Sequence, residues 1–433
     1  YTAKLHTRLA EDLLIQNKYA QAIEATTELL NRSLQLEPNL EIRLWQVRSQ
    51  ANFALQDYDS AELAYLQLRS IETIPETLLE INLRLAESIF KQGEQAKQNA
   101  DFATALAHFH RLGEDPRYAS IMPEADLEAI TVLMTQERWD DAIAALERYR
   151  TQHPGHKLQE TIDDKLVLVY EKAQRWELAA LVLQRIFEKE GSTPLGRDAL
   201  WRSAELQEKA ERPKDAILGY QRFIETFPAP HEPAMEARLK LASLAEQLQD
   251  QPTRLRWLQA IVAVESQATE LSTDRSLFIA SEAAMTLSKM ALADFASIEL
   301  TLPLEKSLPK KRNAMEKSIK HLTKTNSFGL SLQSTEATLL LGKLYQEFAK
   351  SLMASQRPTT LNKLQLEQYD ILLQDEALPF EDKAIELHEI NVSRIKDEIY
   401  TDSIARSLDE LKRLLPGRYN KPELAPQVSH EIQ

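Results

Sequence analysis

The chain has 433 residues with 52 Lys and Arg against 66 Asp and Glu, a formal charge of −14 that repels phosphate backbones and excludes general nucleic-acid binding. It contains no cysteine, which removes disulfides, thiolate zinc sites and cysteine nucleophiles together. Hydrophobic residues at 43% and charged residues at 27% specify a folded chain. Only nine glycines argue against Gly-rich phosphate loops and all-β folds and favour long helices.

The opening YTAKLHTRLAEDLL starts inside a helical pattern and carries no signal-peptide pattern. No apolar run approaches the roughly 20 residues that span a bilayer. An aromatic residue followed three positions later by Ala then recurs, at Tyr19/Ala22, Tyr58/Ala61, Phe102/Ala105, Trp139/Ala142 and Trp176/Ala179. Pro213/Ala216 and Pro252/Leu255 continue the series, with anchors 39, 44, 37, 37, 37 and 39 residues apart. Periods of this length imply stacked supersecondary units.

The details define a helical hairpin. Leu146, Tyr149 and Pro154 follow Ala142 at offsets of 4, 7 and 12, and Tyr220, Phe223 and Pro228 follow Ala216 at the same offsets. Offsets of 4 and 7 share one helical face, the small Ala allows a partner helix to come close, and the Pro sits where the chain leaves the helix. The segment before each anchor is also helical, as in TIDDKLVLVYEKAQ at 161–174. In the third unit KQGEQAKQNAD reads as an insertion, and in the seventh Leu255 replaces the Ala.

These anchors resemble the tetratricopeptide repeat over about residues 3 to 266. Ala216, Tyr220, Phe223 and Pro228 fill the family's recurring positions, and Tyr170 its first-helix tyrosine. The resemblance implies an all-α chain: a right-handed α-solenoid of about seven helical hairpins over 1–266, then longer, irregular hairpins over 267–433. It also implies a concave groove lined by the first helix of each unit. Glu128, Thr131, Thr135, Lys165, Leu168, Lys172, Arg202, Glu205 and Lys209 are the groove candidates by register. Some members of the family clamp a partner's terminal carboxylate through an asparagine; that position holds Glu11, Gln50, Thr131, Leu168 and Glu205 here, so the clamp is absent.

Past residue 274 the anchors stop. RSLFIASEAAMTLSKMALADFASIEL reads as one long amphipathic helix, and STEATLLLGKLYQEFAKSLMASQRP as another that ends before Pro358. LPFEDKAIELHEINVSRIKDEIY reads as a helix starting near Pro379 with acidic residues in its first turn. DSIARSLDELKRLLPGRY stops at Pro416–Gly417. SIKHLTKTNSFGLSLQSTEATLLLGKLYQEFAKSLMASQRP, LQLEQYDILLQDEALPFEDKAIELHEINVSRI and LLPGRYNKPE resemble the C-terminal part of large bacterial tetratricopeptide proteins of the cell envelope. Such proteins are associated with Exb/Tol/TonB-type energy transduction or gliding motility. The resemblance implies a periplasmic or envelope-associated scaffold, with components of such systems as partners.

No pattern of catalysis or cofactor binding emerges. LHEIN lacks a second His four residues after His388, so His388 reads as part of an exposed polar face. His153 and His156 flank a turn without a completing carboxylate pattern, and His108 and His110 point in different directions. GSTPLGRD lacks the Lys-Ser/Thr pair of a phosphate loop, and pairs such as Asp140/Asp141 and Asp163/Asp164 sit near helix starts. No nucleophile elbow occurs. One stretch breaks the acidic rule: Lys306, Lys310, Lys311, Arg312, Lys317, Lys320 and Lys324 face a single Glu in 306–324. It suits an acidic partner or anionic headgroups; a solvated helix face balanced by neighbouring acids is the simpler reading. The expected function is a non-enzymatic protein-interaction scaffold without cofactor or metal. The alternatives are a non-catalytic module of an envelope enzyme or secretion machine, and a cytoplasmic adaptor.

Overall fold

A computed structural model describes residues 2–31 and 36–421, and every regular element among them is helical. Seven hairpins come first: α1 (Thr2–Ile15) with α2 (Tyr19–Asn31), α3 (Pro38–Ala54) with α4 (Tyr58–Ile71), α5 (Pro75–Gln98) with α6 (Phe102–Glu114), and α7 (Met122–Thr135) with α8 (Trp139–Gln152). Then come α9 (Ile162–Lys172) with α10 (Trp176–Glu190), α11 (Pro194–Lys209) with α12 (Pro213–Thr226), and α13 (His231–Gln247) with α14 (Gln251–Ala268). Longer helices follow: α15 (Asp274–Ala296), α16 (Leu304–Asn326), α17 (Ser331–Met353), α18 (Lys363–Ser393), α19 (Asp402–Leu414) and the single turn α20 (Pro416–Tyr419). The chain forms two compact units, residues 1–190 with 205–211, and residues 191–204 with 212–433.

The turn inside each hairpin is the same device seven times. Asn17, Gln56, Ala100, Glu137, Gln174, Glu211 and Gln249 all adopt a left-handed backbone, with φ between 56° and 61°. The next amide reaches back five residues, as in Arg138 N–H to the Leu133 carbonyl and Arg175 N–H to the Tyr170 carbonyl. This is the Schellman closure of a helix end. Not one of these seven residues is glycine, so sequence inspection for Gly stops does not find the turns. Asp57, Asp101 and Asp250 then cap the second helix by accepting from the amides of Ser60, Thr104 and Thr253.

Three residues into each of the first six second helices stands the small residue. Ala22, Ala61, Ala105, Ala142, Ala179 and Ala216 are each fully buried. The aromatic face follows, with Tyr149, Tyr220 and Phe223 among the largest side chains wholly withdrawn from solvent. Burying such a ring contributes about 2–3 kcal/mol. Helices α8 and α12 stop two residues before Pro154 and Pro228, as the spacing requires.

Three local readings change. The left-handed turn at Gln249 puts Gln251 and Arg254 in register with the anchor and its Ala, one residue before Pro252 and Leu255. Arg254 fits because its guanidinium runs out to Glu246 on α13, 2.9 Å away. The insertion KQGEQAKQNAD takes helical form: residues 91–98 are the last turns of α5, whose 24 residues account for the long interval. Pro379 does not start a helix but lies inside the 31-residue α18, which begins at the capping box of Asn362 and Gln365.

The repeat register ends near residue 266, and that point lies inside the second unit. Leu258 and Ile261 of α14 share one core with Met235 of α13 and with Ile279, Ala280 and Ala283 of α15. The buried Glu265 carboxylate binds Nε2 of His231 at 2.7 Å and accepts from the hydroxyls of Ser276, at 3.0 Å, and Ser272. It thus pins α13, α14 and the start of α15 together.

A left-handed conformation disfavours a Cβ by roughly 1–2 kcal/mol, which glycine avoids at some entropic cost. Glu137→Gly and Gln174→Gly are each expected to raise stability by about 0.5–1 kcal/mol. Thermal melts followed by far-ultraviolet circular dichroism measure this, and a lower midpoint for both variants contradicts it.

Candidate functional site

Successive first helices leave clefts on their exposed faces. In the first unit, Gln46, Gln50 and Phe53 of α3 and Thr77, Glu80 and Arg84 of α5 line a cavity of about 360 Å³. Tyr65 of α4 lies at its floor, its hydroxyl pKa raised by burial. In the second unit, Arg197, Asp198 and Trp201 of α11 face Pro233 and Glu236 of α13 across a cavity of about 380 Å³. Trp201 is fixed by T-shaped contacts to Tyr220 (5.3 Å) and Phe223 (5.1 Å) of α12. Aromatic floors beside amide and charged rims suit side chains of a peptide or helix rather than a reactive centre.

The candidate groove residues all fall on first helices but are unequally available. On α7, Glu128 is committed to Lys97 at 2.5 Å, and the hydroxyls of Thr131 and Thr135 donate to the carbonyls of Leu127 and Thr131. On α9, Leu168 and Lys172 are exposed and Lys165 is half-buried. Lys209 lies over the Trp176 ring at 5.3 Å, and Glu205 is half-buried in the same unit. Arg202 is exposed and belongs to the second unit. At the missing clamp position, Glu11 holds Arg43 through two hydrogen bonds, while Gln50 stays open in the first cleft. Register placed these candidates on first helices; it did not single out Gln46, Arg84 or Trp201, which line the two clefts.

The basic stretch forms α16 and divides in two. Lys311 is not on the surface: it is buried, and its ammonium donates to the carbonyls of Phe295 (2.9 Å) and Ile298 (2.8 Å) and stands 4.0 Å from the centre of the Phe295 ring. It closes the end of α15, and burial lowers its pKa. Lys317 meets Asp294 at 3.1 Å, Arg312 meets Glu376 at 3.5 Å, and Lys324 lies over Phe328. Lys306, Lys310 and Lys320 are exposed and pair with no carboxylate among the described residues. The patch is therefore smaller than the charge count implies.

His388 corrects another reading. It is fully buried, not on an exposed face, and its ring lies against Gly342, where an added Cβ would approach to 2.6 Å. Nδ1 contacts the Ser407 hydroxyl at 3.3 Å, while Nε2 has no hydrogen-bond partner. Burial pushes its pKa down to about 4, against the attraction of Glu410 and with the repulsion of Lys343 and Arg413. One turn on, buried Asn391 donates to the Thr335 and Ser403 carbonyls and to the Ser407 hydroxyl, locking α18 to α17 and α19. His153 also serves structure. It bonds Asp126 across α7 and α8 at 2.8 Å, a carboxylate partner that chain spacing does not reveal. No group of three potential metal ligands converges among the described residues, and no described helix is long and apolar enough to cross a membrane.

Hairpins with one repeated turn, one repeated small residue and clefts on their first helices define an α-helical repeat protein built to present surface. Residues 165–229 of this array match the sequence model of the tetratricopeptide repeat, so the chain carries that repeat over this span. Repeats of this kind serve protein–protein interaction, and in that general sense the chain is an interaction scaffold. No curated protein matches the chain. Among solved structures, the C-terminal part of a tetratricopeptide protein from Cytophaga hutchinsonii is 16% identical with a TM-score of 0.28, covering 63% of this chain and 98% of that one. The Naa15/Naa10 complex bound to HypK-THB aligns at 12% identity and a TM-score of 0.33, covering 96% of this chain and 64% of that one. The type IV pilus biogenesis factor PilW aligns at 19% and 0.25, covering 55% of this chain and 98% of that one. At these scores the likeness carries no functional argument.

Two outcomes follow from the buried cations and bases. Lys311→Met strands two carbonyls and is expected to cost about 1–3 kcal/mol, whereas Lys310→Met, on the exposed face, should change stability by less than about 0.5 kcal/mol. Parallel denaturant titrations compare them, and equal midpoints refute the buried role. His388 binds protons in the unfolded chain below its ordinary pKa of 6.5 but in the folded chain only below about 4. Stability is therefore retained above the unfolded value and falls as pH drops from 6.5 to 4, by a total of about 3 kcal/mol from this residue. A plot of melting temperature against pH should be flatter over that window for His388→Gln than for the wild type.

Proposed function

We propose that the chain is a non-enzymatic scaffold of the bacterial envelope that holds a partner helix or extended peptide along the first-helix faces of its repeats. The observation that carries this reading is the pair of clefts whose aromatic floors and amide or charged rims lie between successive first helices. Exposed Leu168 adds apolar contact surface on another first helix, α9. Extended segments bind such surfaces through a few anchored side chains, with the rest of the contact excluding water. What supports the envelope setting, with energy-transduction or motility components as partners, is the resemblance of the C-terminal segments alone.

Photo-crosslinking in cells tests both parts. A photoreactive residue at Gln50 or Asp198, in the clefts, is expected to capture a discrete protein, and one at Leu63 or Leu218, exposed on second helices, is not. Capture from the second-helix positions alone overturns the groove reading. Recovery of the full gene product and its partner only from the cytoplasmic fraction overturns the envelope setting.

A further inference from the structure

The second unit carries an apolar face that no described residue covers. Leu364, Ile371 and Leu378 of α18 are 65%, 57% and 54% exposed, and Leu372 beside them is 63% exposed. The first three are seven residues apart and stack within about 40° on one side of the helix. The opposite side is the one that packs: Leu373, Ala377 and Ala384 are buried. The exposed side chains are therefore not the edge of a core. A seven-residue apolar spacing is the pattern with which one helix meets another.

The charges on the same side all have one sign. Glu367 lies between Leu364 and Ile371, Asp375 between Ile371 and Leu378, and Asp382 one turn beyond, each three or four residues from an apolar neighbour. All three are exposed and pair with no cation among the described residues. By contrast the carboxylates on the flanks are engaged, Asp370 with Arg357 and Glu376 with Arg312. We propose that this face of α18 is a second docking surface, separate from the repeat clefts, for an amphipathic helix whose apolar stripe is flanked by Lys or Arg. Complementary charge selects that occupant. A second copy of α18 would set carboxylate against carboxylate, and an anionic lipid surface would be repelled by the same three acids.

The test uses two synthetic helical peptides with Leu at every seventh position, one flanked by Lys and one by Glu, and the full chain, read by fluorescence anisotropy. The Lys peptide should bind at least about tenfold tighter than the Glu peptide, and more weakly as salt rises from about 50 to about 300 mM. It should lose about tenfold or more with Ile371→Ser/Leu378→Ser and with Asp375→Lys/Asp382→Lys, since both pairs are on the surface and leave the helix intact. Trp201→Ala, in the repeat cleft, should leave this binding unchanged, so failure of the groove reading and failure of this one are told apart. Equal affinity for both peptides, indifference to both double variants, or loss in Trp201→Ala overturns the proposal. So does a dimer in sedimentation that Ile371→Asp abolishes, or binding to anionic vesicles through the same face.

Discussion

The repeat half of the chain depends on one constraint: a helix must reverse within two residues and bring its successor close enough to share a dry interface. The left-handed residue supplies the reversal, and the buried Ala five positions later supplies the closeness. In six hairpins the two occur together; the seventh keeps the turn at Gln249 but has Arg254 at the Ala position, where the side chain runs out to Glu246 instead of filling the interface. Seven turns with φ inside a five-degree span show how narrow the solution is.

The two halves of the chain solve the problem of joining helices differently. In the repeats the joining surface is apolar, with small and aromatic residues interlocking. From the seventh hairpin onward much of it is polar and buried: Glu265 holding His231 and two serines, Lys311 closing the end of α15, and Asn391 bridging three helices. Buried polar groups of this kind tolerate few alternatives, because each unpaired donor or acceptor would be costly. They fix one arrangement of long helices that have no repeated turn to define it.

Much of this was legible in the sequence, and the reasons are local. The aromatic-to-Ala spacing reports a helical face, so Ala142, Leu146 and Tyr149 could be placed in the core from their offsets alone. The register drifted in the seventh hairpin because the determinant is the left-handed residue, and Gln249 looks like any surface glutamine. Pro379 suggested a helix start because its sequence neighbours are acidic; only the capping box at Asn362, seventeen residues upstream, shows that the helix was already running. Lys311 and His388 were misjudged for a shared reason. Their types belong on surfaces, and burial of each depends on groups distant in the chain, the carbonyls of Phe295 and Ile298 for one and Gly342 for the other. The groove positions followed from register, but their availability depends on partners such as Lys97 that a linear reading does not pair with Glu128.

Within the first unit each hairpin rests chiefly on the hairpins adjacent to it, which has a mechanical meaning. A load applied along such a stack is resisted by one interface at a time, and the weakest yields without dragging the others with it. Each event then releases one repeat of about 37 residues, roughly 120 Å of extended chain. The first unit is in this respect a row of separate links, in which one can open while its neighbours stay closed.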